Sequence, residues 1–129
     1  MSSRPRILIV DDDEDNLANL SDILSEFGFQ IDLSNCGLDA LAMAKLCAED
    51  DSTSNYDLCL LDFKMPGING AELIHEIRQI EPDFKAIMIT AYAGDDGVER
   101  AISAGTWKVL SKPVNIEHLL NLINQALAT

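Results

Sequence analysis

Short apolar runs recur along this chain, "RILIV" at 6–10, "YDLCLLD" at 56–62, "FKAIMIT" at 84–90 and "WKVLS" at 107–111, and none is long enough for a helix. Each reads as a strand, and the most continuous of them as strands covered on both faces, the mark of a parallel sheet between helical layers. Phe29, Ile31 and Leu33 alternate as one more short strand after the first run. Between the strands the apolar residues switch to helical spacing. Leu17, Leu20, Ile23, Leu24 and Phe27 form one such stripe, closed by Gly28 where a helix would stop. Leu38, Leu41 and Ala42 open a second helix that fades into the polar "AEDDSTSN" loop. "MPGING" supplies turn residues before a third helix carrying Leu73, Ile74, Ile77 and Ile80. Val98, Ala101 and Ile102 mark a fourth, and "KPVN" leads into a last one with Ile116, Leu119, Leu120, Ile123 and Leu127. Five β-α units joined this closely imply right-handed crossovers. The expected architecture is an α/β, doubly wound, five-stranded parallel sheet with helices on both faces.

The 129 residues, 47% of them hydrophobic, suit a single domain over 1–129 that buries about two-thirds of its unfolded surface. No internal repeat beyond the β-α alternation and no linker is visible. A formal net charge of -13, from 22 acidic against 9 basic side chains, would repel a nucleic-acid backbone or an anionic membrane. Neither is expected as a partner. Cys36, Cys47 and Cys59 are odd in number and lack C-x-x-C spacing, so buried free thiols are expected rather than a disulfide framework or a zinc site. "MSSRPR" precedes only four strongly apolar residues before an acidic run, which makes no signal peptide, and no stretch is long enough to span a bilayer. A cytoplasmic location is the expectation.

In open α/β sheets ligands bind outside the carboxyl ends of the strands, near the point where strand order reverses. The first strand delivers Asp11 and Asp12 there, the third Asp62, the fourth Thr90, and the fifth Lys112 followed by Pro113. Carboxylates gathered together repel one another unless a cation neutralises them. All-oxygen ligands in a small site suit a hard divalent ion, Mg²⁺ first and Mn²⁺ as the alternative. With the metal in place a carboxylate can attack phosphorus and form an aspartyl-phosphate. Asp62, on a central strand and apart from the acidic pair, is the candidate nucleophile. Lys112 and Thr90 would neutralise and hydrogen-bond the phosphoryl oxygens, and the small Ala91 would leave room for the donor.

Four spaced motifs, "IVDDD", "LLDFKMPGINGAEL", "MITAYA" and "VLSKPVN", make the chain resemble the receiver domain of two-component response regulators, the CheY-like family, over essentially its whole length. The resemblance implies the flavodoxin-like sheet with strand order 2-1-3-4-5. It implies that Asp11 and Asp12 are the metal-binding pair, that Asp62 is phosphorylated, and that Lys64 offers its backbone carbonyl to the metal. Thr90 becomes the switch hydroxyl and Lys112 the family's lysine, with a cis Lys112–Pro113 bond. The donor would be a histidine kinase or a histidine phosphotransfer protein, and the output a partner or effector reading the face of the fourth helix, fifth strand and fifth helix. The chain would catalyse only its own phosphorylation and dephosphorylation. No effector segment follows the last helix, which suits a stand-alone regulator or a receiver taken from a longer protein. One position departs from the family: Val109 stands where a Tyr or Phe usually does, and a valine has no ring to swap between buried and exposed positions. Trp107, two residues earlier and on the same side by strand alternation, is expected to contribute to the output surface.

Some features keep an ordinary reading. Asp13, Glu14 and Asp15 are helix-start chemistry, one of them a cap. His75 and His118 are expected as solvated surface residues, and Met65 and Met88 as turn and core residues. Three rival readings are weaker. An EF-hand fits Asp11, Asp13 and Asp15 but has Asn16 where the loop needs Gly, Asp22 where Glu is usual, and a strand in front. A haloacid-dehalogenase-like phosphatase would use Asp11 and Asp13, leave Asp62 idle, and put Asp15 where Thr or Val is usual. A receiver-shaped module that is never phosphorylated is supported only by Val109.

Overall fold

The computed structural model describes residues 5–49, 56–62, 67–82, 84–91 and 105–128. The strands are β1 (Arg6–Val10), β2 (Gln30–Ser34), β3 (Leu58–Leu61), β4 (Ala86–Thr90) and β5 (Lys108–Ser111). The helices are α1 (Glu14–Glu26), α2 (Gly37–Glu49), α3 (Gly70–Ile80) and, at the carboxyl end, α4 (Ile116–Ala128). The helix expected around Val98, Ala101 and Ile102 lies outside the described residues. All pairings are parallel and the order is β2-β1-β3-β4-β5, the doubly wound arrangement that the alternation of apolar runs implies.

Side chains along β1 alternate between two cores. Leu8 and Val10 join Cys59, Leu61, Met88 and the α2 and α3 faces, whereas Ile7 and Ile9 join Leu58, Leu60, Ile87 and the α1 and α4 faces. The central strands are therefore apolar on both sides, and burying a side chain such as Leu60 or Leu61 contributes about 1.5–3 kcal/mol. β2 is an edge strand, so Leu33, counted in its apolar alternation, is still 41% exposed.

Helix ends follow local rules. Asp13 caps α1, its carboxylate accepting from the N–H groups of Asp15 (3.0 Å) and Asn16 (3.3 Å). At the other end Gly28 takes φ +89, Gly28 N–H donates to Ser25 O and Phe29 N–H to Leu24 O, the paired bonds of a Schellman cap. Asn69 caps α3 by accepting from Glu72 N–H and donating to the Glu72 carboxylate. Cys59 is buried, as expected of a free thiol, but Cys36 is only half-buried. It sits in the β2–α2 connection, where its Sγ accepts from Asp39 N–H at 3.4 Å. His75 and His118 are exposed and Met88 is fully buried, while Met65 lies outside the described residues.

Trp107 departs from expectation. Val109 packs on the α2 and α3 side, but Trp107 packs on the α1 and α4 side. The strand begins only at Lys108, so the two-residue alternation does not reach back to Trp107. Two ammonium groups lie over its ring, Lys108 Nζ at 5.4 Å and Lys85 Nζ at 6.0 Å from the centroid. These residues stand at the amino ends of β4 and β5, away from the edge where Asp11 and Asp62 emerge.

Candidate functional site

Strand order turns between β1 and β3, since the chain leaves β1 for β2 on one side and later fills β3 on the other. Val10 and Leu61 are register partners, so Asp11 and Asp62, each one residue further on, leave the sheet side by side. The ladder continues through both: Asp62 N–H donates to Val10 O at 3.2 Å and Asp11 N–H to Ser34 O at 3.1 Å. Across the same edge Lys112 N–H donates to Thr90 O at 3.0 Å. Backbone bonds thus hold the bases of these side chains independently of their side-chain contacts.

Asp11 and Asp62 are 5% and 9% exposed, and Asp12 is exposed. Oxygen atoms of the three carboxylates lie within 4.8 Å of one another. Lys112 Nζ is 2.7 Å from Asp62 Oδ2 and 3.5 Å from Asp11 Oδ2. Burial pushes the Asp11 carboxyl above its usual range, against the Asp13 N–H that donates to its Oδ1 at 2.9 Å and the charge of Lys112. For Lys112, burial pulls the ammonium down, but the hydrogen bond and charge of Asp62, then those of Asp11, outweigh it and leave the group above its ordinary value. Among the described residues three carboxylates stand with one ammonium, and an all-oxygen donor set of this size fits a hard dication.

The four residues Asp11, Asp12, Asp62 and Lys112 are therefore brought together. Thr90 closes β4 on the same edge, fully buried, and Ala91 after it is exposed. Lys64 lies outside the described residues. The Lys112–Pro113 bond is cis. Asp13 turns away from Asp11 to cap its own helix, which separates the two carboxylates that a haloacid-dehalogenase-like site would need together. Two residues the sequence reading did not assign to this edge, Asn16 and Asn19, line a recess that Asp11, Asp62 and Lys112 also line. Their i, i+3 spacing on α1 places them on one face, which is the only local signal they carry.

The chain matches the model of the response regulator receiver domain over residues 7–124. A response regulator receiver protein of Anaeromyxobacter sp. (strain Fw109-5) is 40% identical over 117 residues, covering 91% of this chain and 46% of that protein. The chain spans less than half the length of the curated relatives it matches. Among solved structures, a CheY-like response regulator receiver domain from Methanospirillum hungatei JF-1 superposes with a TM-score of 0.87 at 32% identity, covering 98% of this chain and 95% of that one. The response regulator TrrA of Thermotoga maritima, solved in complex with Mg²⁺ and BeF, gives a TM-score of 0.78 at 33% identity, with 95% and 98% covered. This chain belongs to the receiver domain family of two-component response regulators, whose members are phosphoacceptor switches. Among the described residues no helix is long and apolar enough to cross a membrane.

Proposed function

We propose that Asp62 accepts a phosphoryl group from the phosphohistidine of a histidine kinase or histidine phosphotransfer protein, in a Mg²⁺-dependent step that Mn²⁺ also supports. The observation that carries this reading is the convergence of Asp11, Asp12 and Asp62 within 4.8 Å, with Lys112 Nζ 2.7 Å from the Asp62 carboxylate. Asp11, Asp12, Asp62 and the Lys64 carbonyl would hold the ion, which supplies positive charge to the carboxylates and to the incoming phosphoryl oxygens. The Mg²⁺ in the TrrA complex supports that choice of ion.

A carboxylate oxygen of Asp62 attacks phosphorus, the bond from phosphorus to the donor imidazole breaks, and the imidazole nitrogen keeps the electron pair. Lys112 exchanges its carboxylate partner for a phosphoryl oxygen, and the Thr90 hydroxyl donates to another. Water later attacks phosphorus of the acyl phosphate, the bond to the Asp62 oxygen breaks, and inorganic phosphate leaves as the carboxylate is restored. The new charge biases the face of the helix expected around Val98 and Ala101, β5 and α4 toward a second arrangement read by an output partner or effector. With Val109 half-buried against the α2 and α3 side, that response proceeds without an aromatic ring at this position. The reading is of one receiver domain over 1–129 in the cytoplasm, acting on no substrate but itself. Nucleic acid and membrane are not partners of so acidic a surface.

Intact mass after incubation with acetyl phosphate, with and without Mg²⁺, tests the assignment on wild type and Asp62→Asn. One phosphoryl group gained only with the metal, and only by wild type, is expected. Equal labelling of both proteins would overturn it.

A further inference from the structure

The outer face of α2 differs from those of the other described helices. α1 turns Asp15, Asp22 and Glu26 to solvent and α3 turns Glu72 and Glu76, whereas α2 presents Leu38, Ala42 and Leu46. Leu38 is 61% exposed and Leu46 66%, the two most exposed large apolar side chains among the described residues. The inner face of the same helix, Ala40 and Ala44 with Leu41 and Met43 beside them, already packs in the core. α2 is therefore apolar on both sides, the pattern of a helix covered on both. Single exposed leucines are ordinary, but Leu38, Ala42 and Leu46 follow at i, i+4 and i+8 and form one ridge about 12 Å long.

The ridge is symmetric about Ala42. Leu38 stands four residues before it and Leu46 four after; Asp39 stands three before and Lys45 three after, both exposed. The Asp39 carboxylate accepts from Ser34 Oγ at 3.0 Å, which restrains it at its end of the ridge. A second α2 laid antiparallel, with a two-fold axis at Ala42, brings Leu38 of each copy level with Leu46 of the other, and Asp39 level with Lys45. A parallel copy would set like charges level instead. The small Ala42 at the crossing lets the axes approach, and antiparallel helix dipoles attract. We infer that this chain self-associates through the outer face of α2, two copies meeting antiparallel about Ala42. Chains of net charge -13 meet with least repulsion on a face such as this, not across the carboxylates of α1 or α3. One helix from each copy makes an interface below about 1,200 Å², the size of transient contacts, so the dimer is reversible with a Kd of about 0.1 mM. None of these five residues belongs to the acidic edge, and the inference is independent of the phosphoacceptor reading.

Sedimentation equilibrium of the 129-residue chain, from about 10 µM to about 1 mM at roughly 0.15 M salt, tests this. Wild type should pass from monomer to dimer across that range. Ala42→Glu and Leu46→Glu, both at exposed positions, should each weaken the dimer more than about tenfold, because every substitution enters a two-fold contact twice. Asn121→Glu, exposed on α4, adds the same charge elsewhere and should leave the dimer within about twofold. Lys45→Glu should weaken it about fivefold, and an equimolar mixture with wild type should associate with intermediate strength. A monomer at every concentration, a dimer that survives both Ala42→Glu and Leu46→Glu, or equal weakening by Asn121→Glu would each overturn the proposal. A mixed dimer tighter than either parent would mean that like positions meet, and would overturn the antiparallel arrangement.

Discussion

β1 is flanked by charge on both sides, Arg6 as its first residue and Asp11 just past its last, and the two ends are balanced in opposite ways. At the first, the Arg6 guanidinium lies 2.8 Å from Asp32 Oδ2. Tyr56 donates to the same oxygen at 2.7 Å, and its ring lies 4.7 Å under the guanidinium carbon. The guanidinium meets one carboxylate, with a hydroxyl and an aromatic face beside it, while the Arg6 backbone N–H donates to Asp57 Oδ2 at 2.8 Å. At the second, among the described residues, Asp11 and Asp62 share the Lys112 ammonium and the exposed Asp12 stands close to both carboxylates. The first cluster balances its charge within the fold and binds the start of β1 to β2 and the approach to β3. The second, among the described residues, holds more carboxylates than ammonium groups, which suits a binding edge for a cation. The same strand therefore carries a charge spent on stability and a charge held available for chemistry.

The largest expected effect is at the incomplete end. Lys112→Ala leaves two largely buried carboxylates facing each other without their cation and should lower stability by about 3 kcal/mol in EDTA, the low end for a broken buried pair because Lys112 is 27% exposed. Saturating Mg²⁺ should restore most of it, since an ion that binds only the folded state stabilises by about 2.7 kcal/mol at a hundredfold excess over its Kd. Urea unfolding in both conditions measures the difference; a loss that Mg²⁺ does not touch would mean the acidic edge binds no dication. Next in size is Asp32→Ala, which strips Arg6 and Tyr56 of their shared acceptor and should cost about 2 kcal/mol. Here the loss should be identical with and without Mg²⁺, and any metal dependence would erase the contrast between the two ends.

Asp11→Asn is smaller and opposite in sign. Removing a carboxylate that burial already disfavours should raise metal-free stability by roughly 0.5–1 kcal/mol while weakening Mg²⁺ binding, as thermal melts with EDTA and with the ion would read. The pH profile gives the finest discrimination. The folded Asp11 carboxyl titrates above its ordinary 3.8, so the folded chain holds that proton more firmly. Its unfavourable contribution at neutral pH fades as pH falls through the folded value, and Mg²⁺ affinity falls with it. Lys112 is also raised, so its contribution is present below its ordinary 10.5 and is lost as pH rises through the folded value. Denaturant midpoints in EDTA should accordingly weaken on the alkaline side in wild type but not in Lys112→Ala.

Much of this molecule is readable from the chain because the relevant forces are local. A run such as "LCLL" closing on Asp62 marks a buried strand with a polar end, and Gly28 marks a helix stop that only a residue free to take φ +89 makes easily. The carboxyl edge could be assembled from such ends, because parallel strands deliver their last residues to one side. Trp107 shows where the method fails. Two-residue alternation holds only inside a strand, and nothing local in "GTWKVLS" says that the strand starts at Lys108 rather than one residue earlier. The Arg6–Asp32–Tyr56 cluster was equally hidden. Its members are separated by 26 and 24 residues in sequence, and each alone reads as a surface charge or a strand-end aromatic.

By itself the sequence determined the five strands, most of the helix limits, and the polar residue waiting at each strand's end, since spacing, caps and turn residues act within a few positions of one another. The tertiary structure alone decided how those residues share space. It buried Asp11 and left Asp12 exposed, turned Asp13 to its own helix, set Lys112 nearer to Asp62 than to Asp11, and left a cavity between α1 and the approach to α4. Those outcomes depend on the register of β1 against β3 and on how two helices settle on one face of a sheet, and neither is encoded in any short stretch of chain.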